Sequence, residues 1–241
     1  MKQIIVIPAR MKGTRIPGKP LIKILGKTIL WRVWDRCRQI HPPEKIFVAT
    51  EDIDIKNHCE GYGINCVVTG RANTAIDRIK LFTDTIVADG YINVQGDEPL
   101  INQNDILSIL KYNQEYPDRV IFGKSPANEQ EFNDISKAKV VCDLNGKLLY
   151  STRSGIPINN QGKFIKAERA IWIYGFPKKA LDSYFEYNSQ TPLEKIEDNE
   201  IIRFLEIGVP VYCVDVIGDS WAVDIPEDIE IVKRKIKQRS L

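Results

Sequence analysis

Four cations stand within ten residues near the start of the chain, in Pro8-Ala-Arg10-Met-Lys12-Gly13-Thr14-Arg15-Ile-Pro17-Gly18-Lys19-Pro20-Leu21. Glycine lets backbone N–H groups approach an anion closely, and Arg and Lys supply charge-assisted bonds to it. Such a loop suits a triphosphate or pyrophosphate. It is neither GxxxxGK[ST] nor GxGxxG, so the two common phosphate-loop motifs are excluded. A solvated basic loop is the plainer alternative, but the position of this one, directly after a buried apolar run, favours anion binding.

A second group is Val94-Gln95-Gly96-Asp97-Glu98-Pro99. An apolar strand running into this acidic turn places Asp97 at a sheet edge, where a carboxylate can hold Mg²⁺ together with phosphate oxygens and water. An ordinary β-turn followed by a helix cap at Asn102 fits the spacing equally well. A third group is Trp221-Ala-Val-Asp224-Ile-Pro226-Glu227-Asp228. Here Asp224 with Glu227 reads first as a capping-box start for the last helix, a role compatible with metal ligation. Asp52-Ile-Asp54 has the DxD form of metal-dependent glycosyltransferases, but its place at a helix start favours capping. His58 reads as a surface residue and His41 as part of a turn before Pro42-Pro43. Trp31 and Trp34 read as packing residues, and Lys233 to Lys237 as a solvated helix end.

The elements that must position these groups follow from apolar periodicity. Gln3 to Pro8 is a continuous apolar run of strand length, as expected of a strand buried on both faces. Further strands are expected at 45–50, 64–69 and 91–95, with helices around 28–40, from 51 and near 76–88. Strands alternating with helices predict a Rossmann-like α/β fold, a mostly parallel sheet flanked by helices. Ligands of such sheets bind at the carboxyl ends of the strands, which directs attention to the loops after Pro8, Thr50, Thr69 and Gln95. After about residue 118 short β-like segments cluster at 120–124, 139–142 and 148–151. This predicts a β-rich excursion near 120–170, suited to a substrate pocket or a subunit contact, with a mobile loop at 159–162. A strand at 170–176, helices at 177–187 and 193–206, a strand at 211–216 and a helix from Pro226 complete a single domain over 1–241.

Composition narrows the chemistry. The 241 residues carry 34 Lys and Arg against 32 Asp and Glu, a net charge of +2, too near neutral for a nucleic-acid binder or a polybasic membrane anchor. With two histidines, a three-histidine zinc site is excluded. Five cysteines without CxxC spacing fit free thiols in a reducing compartment. No apolar run reaches signal-peptide or transmembrane length, so a cytoplasmic protein is expected.

Taken together, IPARMKGTRIPGKPL, FVATED, NVQGDEPLI, LYSTRSGIP at 149–157, TPLEKIE at 191–197 and VDIPEDIE at 223–230 resemble, in order, the CMP-Kdo synthetases (3-deoxy-manno-octulosonate cytidylyltransferases), a branch of the GT-A-like nucleotidyltransferases. The resemblance implies transfer of CMP from CTP to a 2-keto-3-deoxy sugar acid, with release of pyrophosphate. It implies that Arg10, Arg15 and Lys19 hold the CTP phosphates, that Gln95, Asp77 and Arg78 lie on the nucleotide side, and that Asp97 and Asp224 hold Mg²⁺. It sets Lys19 beside those two aspartates in the catalytic group, and Arg153, Tyr174 and Glu200 toward the sugar acid. A homodimer is implied as well. No protein nucleophile is required, because the sugar hydroxyl itself attacks phosphorus. Two other classes stay open: a GT-A glycosyltransferase using Asp52-Ile-Asp54, and a non-catalytic nucleotide-binding paralogue.

One departure from that pattern falls in the nucleotide-side motif and two fall on the sugar side. A Ser-Gly-Thr-(Glu/Asp)-Arg motif reads Thr74-Ala75-Ile76-Asp77-Arg78. His-Ile-Gly-Ile-Tyr reads Ala170-Ile171-Trp172-Ile173-Tyr174, and Glu-Gln-Leu-Arg reads Glu200-Ile201-Ile202-Arg203. Losing hydrogen-bonding groups changes specificity more than resizing an apolar wall. The acceptor is therefore expected to be Kdo or a Kdo-like acid.

Overall fold

Every residue of β1 (Gln3–Pro8) is buried, as its unbroken Ile/Val sequence requires, and β1 lies inside the main sheet rather than at an edge. The computed structural model describes residues 1–13, 15–187 and 189–239; Thr14 of the basic loop lies outside them. A small hairpin of β2 (Lys23–Ile24) and β3 (Lys27–Thr28) leads into α1 (Ile29–Arg38), where the Thr28 hydroxyl accepts from Trp31 N at 3.1 Å. There follow β4 (Ile46–Thr50), α2 (Ile53–Gly61), β5 (Asn65–Val68), α3 (Ala75–Thr83), β6 (Gly90–Val94) and α4 (Gln103–Glu115). The second half runs β7 (Val120–Ala127), α5 (Glu129–Asn133), β8 (Lys139–Cys142), β9 (Leu148–Thr152), β10 (Ala167–Pro177), α6 (Lys178–Glu186), α7 (Pro192–Glu197), α8 (Ile201–Glu206), β11 (Val211–Asp215) and α9 (Pro226–Arg239).

The sheet order is β11-β7-β10-β6-β1-β4-β5, with β8 pairing β10 and β9. β1 runs parallel to β4 and β6, β4 to β5, and β11 to β7, while β10 is antiparallel to its neighbours β6, β7 and β8, and β8 to β9. This is the mostly parallel α/β sheet expected from the alternating pattern. Alternate residues of β1 feed two apolar layers: Ile4 and Val6 pack with α3, α6 and α8, and Ile5 and Ile7 with α1, α2 and α4. No described helix is long and apolar enough to cross a membrane.

The β-rich excursion expected near 120–170 is continuous with the main sheet, since β7 and β10 pair along their length inside it and β8 and β9 join it through β10. Two expectations are corrected. The expected helix over 193–206 is two helices, separated at Asp198, whose φ of 47° and ψ of 53° are left-handed. The helix near 76–88 stops at Thr83. The chain after it is held by the Tyr91 hydroxyl, which accepts from Ala88 N at 2.8 Å and donates to Ile86 O at 2.9 Å. α4 begins at the cap anticipated at Asn102, where Asn102 Oδ1 accepts from Asn104 N at 3.0 Å, and α5 is a further helix that no expectation covered.

Candidate active site

The parallel strands β1, β4 and β6 end on the same side of the sheet, and the loops that leave them form one cleft. The loop after β1 is fixed by its backbone: Ala9 N donates to Ala49 O at 3.0 Å and Gly18 N to Met11 O at 2.8 Å. A side chain at Gly13 would stand 2.7 Å from Ile16 O, so the tight fold of this loop requires glycine there. Asp52 contributes what the sequence did not suggest. It occupies the N-cap position of α2 but makes no side-chain cap there; its Oδ2 instead accepts from Met11 N at 2.7 Å and so ties the basic loop to the end of β4.

Asp97 and Asp224 reach each other through main-chain packing. A Cβ on Gly96 would lie 2.6 Å from Pro8 O, so glycine lets the turn after β6 press against the end of β1. Val223 N then donates to Asp97 O at 2.9 Å and brings the segment before α9 alongside. Lys19 Nζ lies 2.6 Å from Asp97 Oδ2 and 3.5 Å from Asp224 Oδ1, and Arg15 Nη2 lies 3.2 Å from the same Asp224 oxygen. The expected capping role of Asp224 is not observed. Asp228 serves instead, with Oδ2 accepting from Asp224 N at 2.8 Å and Ile225 N at 2.9 Å while Oδ1 accepts from Trp221 Nε1 at 2.8 Å. The Asp224 carboxylate is thereby left to face cations.

The cleft has a volume of about 460 Å³, and Arg10, Arg15, Lys19, Arg78, Gln95, Asp97, Arg153, Tyr174, Glu200 and Asp224 all border it. Arg10 Nη1 donates to Asn73 O at 3.3 Å. Arg78 is buried, with Nη1 donating to Thr69 Oγ1 at 2.9 Å and Nη2 lying 3.2 Å from Glu51 Oε2. Asp77 is placed differently. Its Oδ2 accepts from Thr74 N at 3.2 Å while Thr74 Oγ1 accepts from Asp77 N at 3.1 Å, a capping box at the start of α3.

Arg153, expected toward the sugar acid, borders the cleft but spends donors on the end of α7, from Nε to Glu197 O at 3.0 Å and from Nη2 to Asp198 O at 3.0 Å. Glu200 holds the start of α3, accepting from Ala75 N at 3.3 Å and Ile76 N at 3.0 Å. Burial pushes its carboxyl up to about 7, against the opposing pull of the Ile76 N–H. Glu98, next to Asp97, is likewise pushed up to about 7 by burial. Burial also holds the Tyr174 hydroxyl well above the ordinary phenol range. Of the substituted positions Ala170, Trp172 and Ile201, only Trp172 borders the cleft; Ala170 and Ile201 are buried in the core layer.

No cluster of three or more His, Cys, Asp or Glu able to hold a metal occurs among the described residues. That does not exclude Mg²⁺, which commonly takes one or two carboxylates and completes its shell with phosphate oxygens and water. Two hard oxygen donors already sharing one cation, Lys19, fit that ion.

The family model described as Cytidylyltransferase matches residues 4–216. A 3-deoxy-manno-octulosonate cytidylyltransferase from Myxococcus xanthus is 34% identical over 99% of this chain and 98% of its own. An 8-amino-3,8-dideoxy-manno-octulosonate cytidylyltransferase from Shewanella halifaxensis is 32% identical over 98% of this chain and 99% of its own. A solved structure of CMP:2-keto-3-deoxy-manno-octonic acid synthetase complexed with CTP superposes with a TM-score of 0.93 and 28% identity, covering 99% of this chain and 100% of that one.

Proposed function

The chain belongs to the cytidylyltransferase family, and from that membership we propose that it transfers CMP from CTP to 3-deoxy-manno-octulosonate (Kdo) or a close 2-keto-3-deoxy acid, giving the CMP-sugar and pyrophosphate. The observation that carries this reading is the meeting of Asp97, Asp224 and Lys19 at the mouth of the arginine-bearing loop. In the reaction the anomeric hydroxyl oxygen of the acid bonds to the α-phosphorus of CTP. The bond from that phosphorus to the bridging oxygen breaks, pyrophosphate leaves, and the hydroxyl proton passes to solvent.

Negative charge gathers on phosphates that are already anionic. Arg10, Arg15 and Lys19 answer it with fixed cations, which act where the charge develops and need no reorganisation at that moment. Asp97 and Asp224 would hold Mg²⁺, which would supply charge neutralisation on the phosphates. Lys19, paired with both carboxylates, is placed to bind a phosphate as well. Arg78, fixed by Thr69 and Glu51, gives the nucleotide end of the cleft a rigid wall.

A glycosyltransferase reading of Asp52-Ile-Asp54 finds no support, since Asp52 is bound to loop backbone and Asp54 is exposed. A homodimer is supported by the exposed Leu144 and Leu149 in and beside the turn of the β8–β9 hairpin, and sedimentation velocity tests it. The activity is tested by pyrophosphate release from CTP and Mg²⁺ across a panel of 2-keto-3-deoxy acids, with a chelator control. Release with Kdo that stops on chelation is expected. Silence with every acid alongside normal CTP binding overturns the acceptor class.

A further inference from the structure

Trp172 lies on β10 at the one place where that strand departs from regular pairing. The register against β7 shifts between Ile171 and Tyr174, which leaves Trp172 and Ile173 as an irregular pair. Such irregularities beside active sites re-aim side chains. The opposing residue has to be small, because a Cβ on Gly123 would stand 2.8 Å from Ile173 Cγ2 and 3.0 Å from Ile171 O.

Trp172 is half-buried, with its ring centroid 5.9 Å from that of Phe122 and 6.5 Å from that of Tyr174. It borders the large cleft that holds Arg153 and Tyr174, and also a smaller recess of about 220 Å³ formed with Gln95, Asp97, Glu98 and Asp224. The indole is thus a wall shared by the sugar end and the two carboxylates. Its Nε1–H makes no hydrogen bond to any described residue, whereas the indole of Trp221 donates to Asp228. Unlike the buried, unpartnered indole N–H of Trp34, that of Trp172 reaches solvent and is free to donate to a ligand.

We propose that Trp172 is the specificity-determining residue for the acceptor. The pyranose ring of the sugar acid lies with its C–H face on the indole and one of its oxygens accepts from Nε1. This deepens the cytidylyltransferase reading and rests on it. The ring face selects acids with a bare C–H face and disfavours those with a bulky N-acyl group projecting from it, because such a group holds the sugar ring off the indole.

The test compares wild type, Trp172→Phe and Trp172→Ala with Kdo and with an N-acetylated nine-carbon 2-keto-3-deoxy acid. In Trp172→Ala the KM for Kdo should rise about 10- to 100-fold, with kcat and the KM for CTP little changed. The N-acetylated acid should gain at least about tenfold in kcat/KM relative to Kdo. Trp172→Phe, which keeps a ring face and loses the N–H, should fall between the two. Kdo binding is also measured by calorimetry with CTP present and divalent ions removed, where no turnover occurs; this reports on Trp172 even if no pyrophosphate is released. Unchanged Kdo affinity in both variants overturns the proposal, as does a parallel loss of CTP affinity and melting temperature, which marks a structural role. Absence of Kdo binding by wild type overturns it together with the acceptor class, whereas binding without turnover sinks only the reaction.

Discussion

One ammonium, Lys19 Nζ, bridges Asp97 Oδ2 at 2.6 Å and Asp224 Oδ1 at 3.5 Å, joining the turn after β6 to the segment before α9. The two carboxylates therefore converge on one point, where they share a cation from the basic loop after β1. Removing either carboxylate should uncouple binding from turnover. Asp97→Asn and Asp224→Asn are each expected to lower kcat at least about 10²–10³-fold, the cost typical of losing one preorganised charge-stabilising group. Metal-free CTP binding should hold or tighten, since one negative charge has left the neighbourhood of the phosphates. Pyrophosphate-release kinetics and calorimetry in chelator check the two halves separately.

Asp52 and Asp54, two residues apart, have opposite surroundings. Asp52 Oδ2 anchors Met11 N at 2.7 Å, while Asp54 is exposed. Asp52→Ala leaves a loop N–H without its acceptor and loosens Arg10 and Lys12 on either side of it. The expected result is a KM for CTP raised about tenfold, the effect of losing roughly 1.4 kcal/mol of a charge-assisted bond. Asp54→Ala should be silent in activity and within about 0.5 kcal/mol in stability, as for an ordinary surface substitution. Steady-state kinetics and urea unfolding on both variants decide it; equal losses would mean that the pair acts as a unit.

These two aspartates also illustrate what the sequence could reveal. β1, β4 and β6 were legible because a strand buried on both faces has to be apolar throughout, and the position of the loops at their carboxyl ends follows from parallel topology. The meeting of Lys19, Asp97 and Asp224 was implied by the family resemblance, and the geometry places them together. The anchoring by Asp52 was not legible, because its acceptor role depends on a partner 41 residues away. The break between α7 and α8 was hidden for a similar reason. Asp198 adopts a left-handed conformation where Arg153 collects the carbonyls of Glu197 and Asp198, and no local pattern in TPLEKIEDNEIIRF announces that contact.

Arg203 and Glu194 form a two-pronged pair, Nε to Oε2 and Nη2 to Oε1 at 2.7 Å each, with side chains only 6% and 1% exposed. Arg203 also stacks 3.8 Å above the Tyr184 ring, and Glu194 closes the capping box of α7. Breaking a buried pair by removing one partner strands the other charge. Glu194→Ala is expected to cost about 3–5 kcal/mol in urea unfolding. Arg203→Lys should destabilise as well, because a point-charge ammonium cannot make both bonds or lie flat on the ring. A loss below 1 kcal/mol in Glu194→Ala would show that the pair is replaced by water.

Glu200 gives the fold a pH dependence whose sign is the reverse of the usual carboxylate. Its pKa is pushed up to about 7 in the folded chain, by burial above all, from an ordinary value near 4.5. Between those two pH values the folded state binds the proton more tightly than the unfolded chain does. Stability is therefore lost as pH rises through that window and levels off above it. Glu98, also pushed up to about 7, adds to the same slope. Glu200→Gln abolishes one of the two titrations while its amide oxygen can still accept from the start of α3. The melting temperature of Glu200→Gln should fall less steeply than that of wild type between pH 4.5 and 7, and the two curves should run parallel above pH 8. Thermal unfolding followed by circular dichroism across that range checks the prediction; a difference between wild type and Glu200→Gln that fails to shift against wild type as pH rises through the window refutes it.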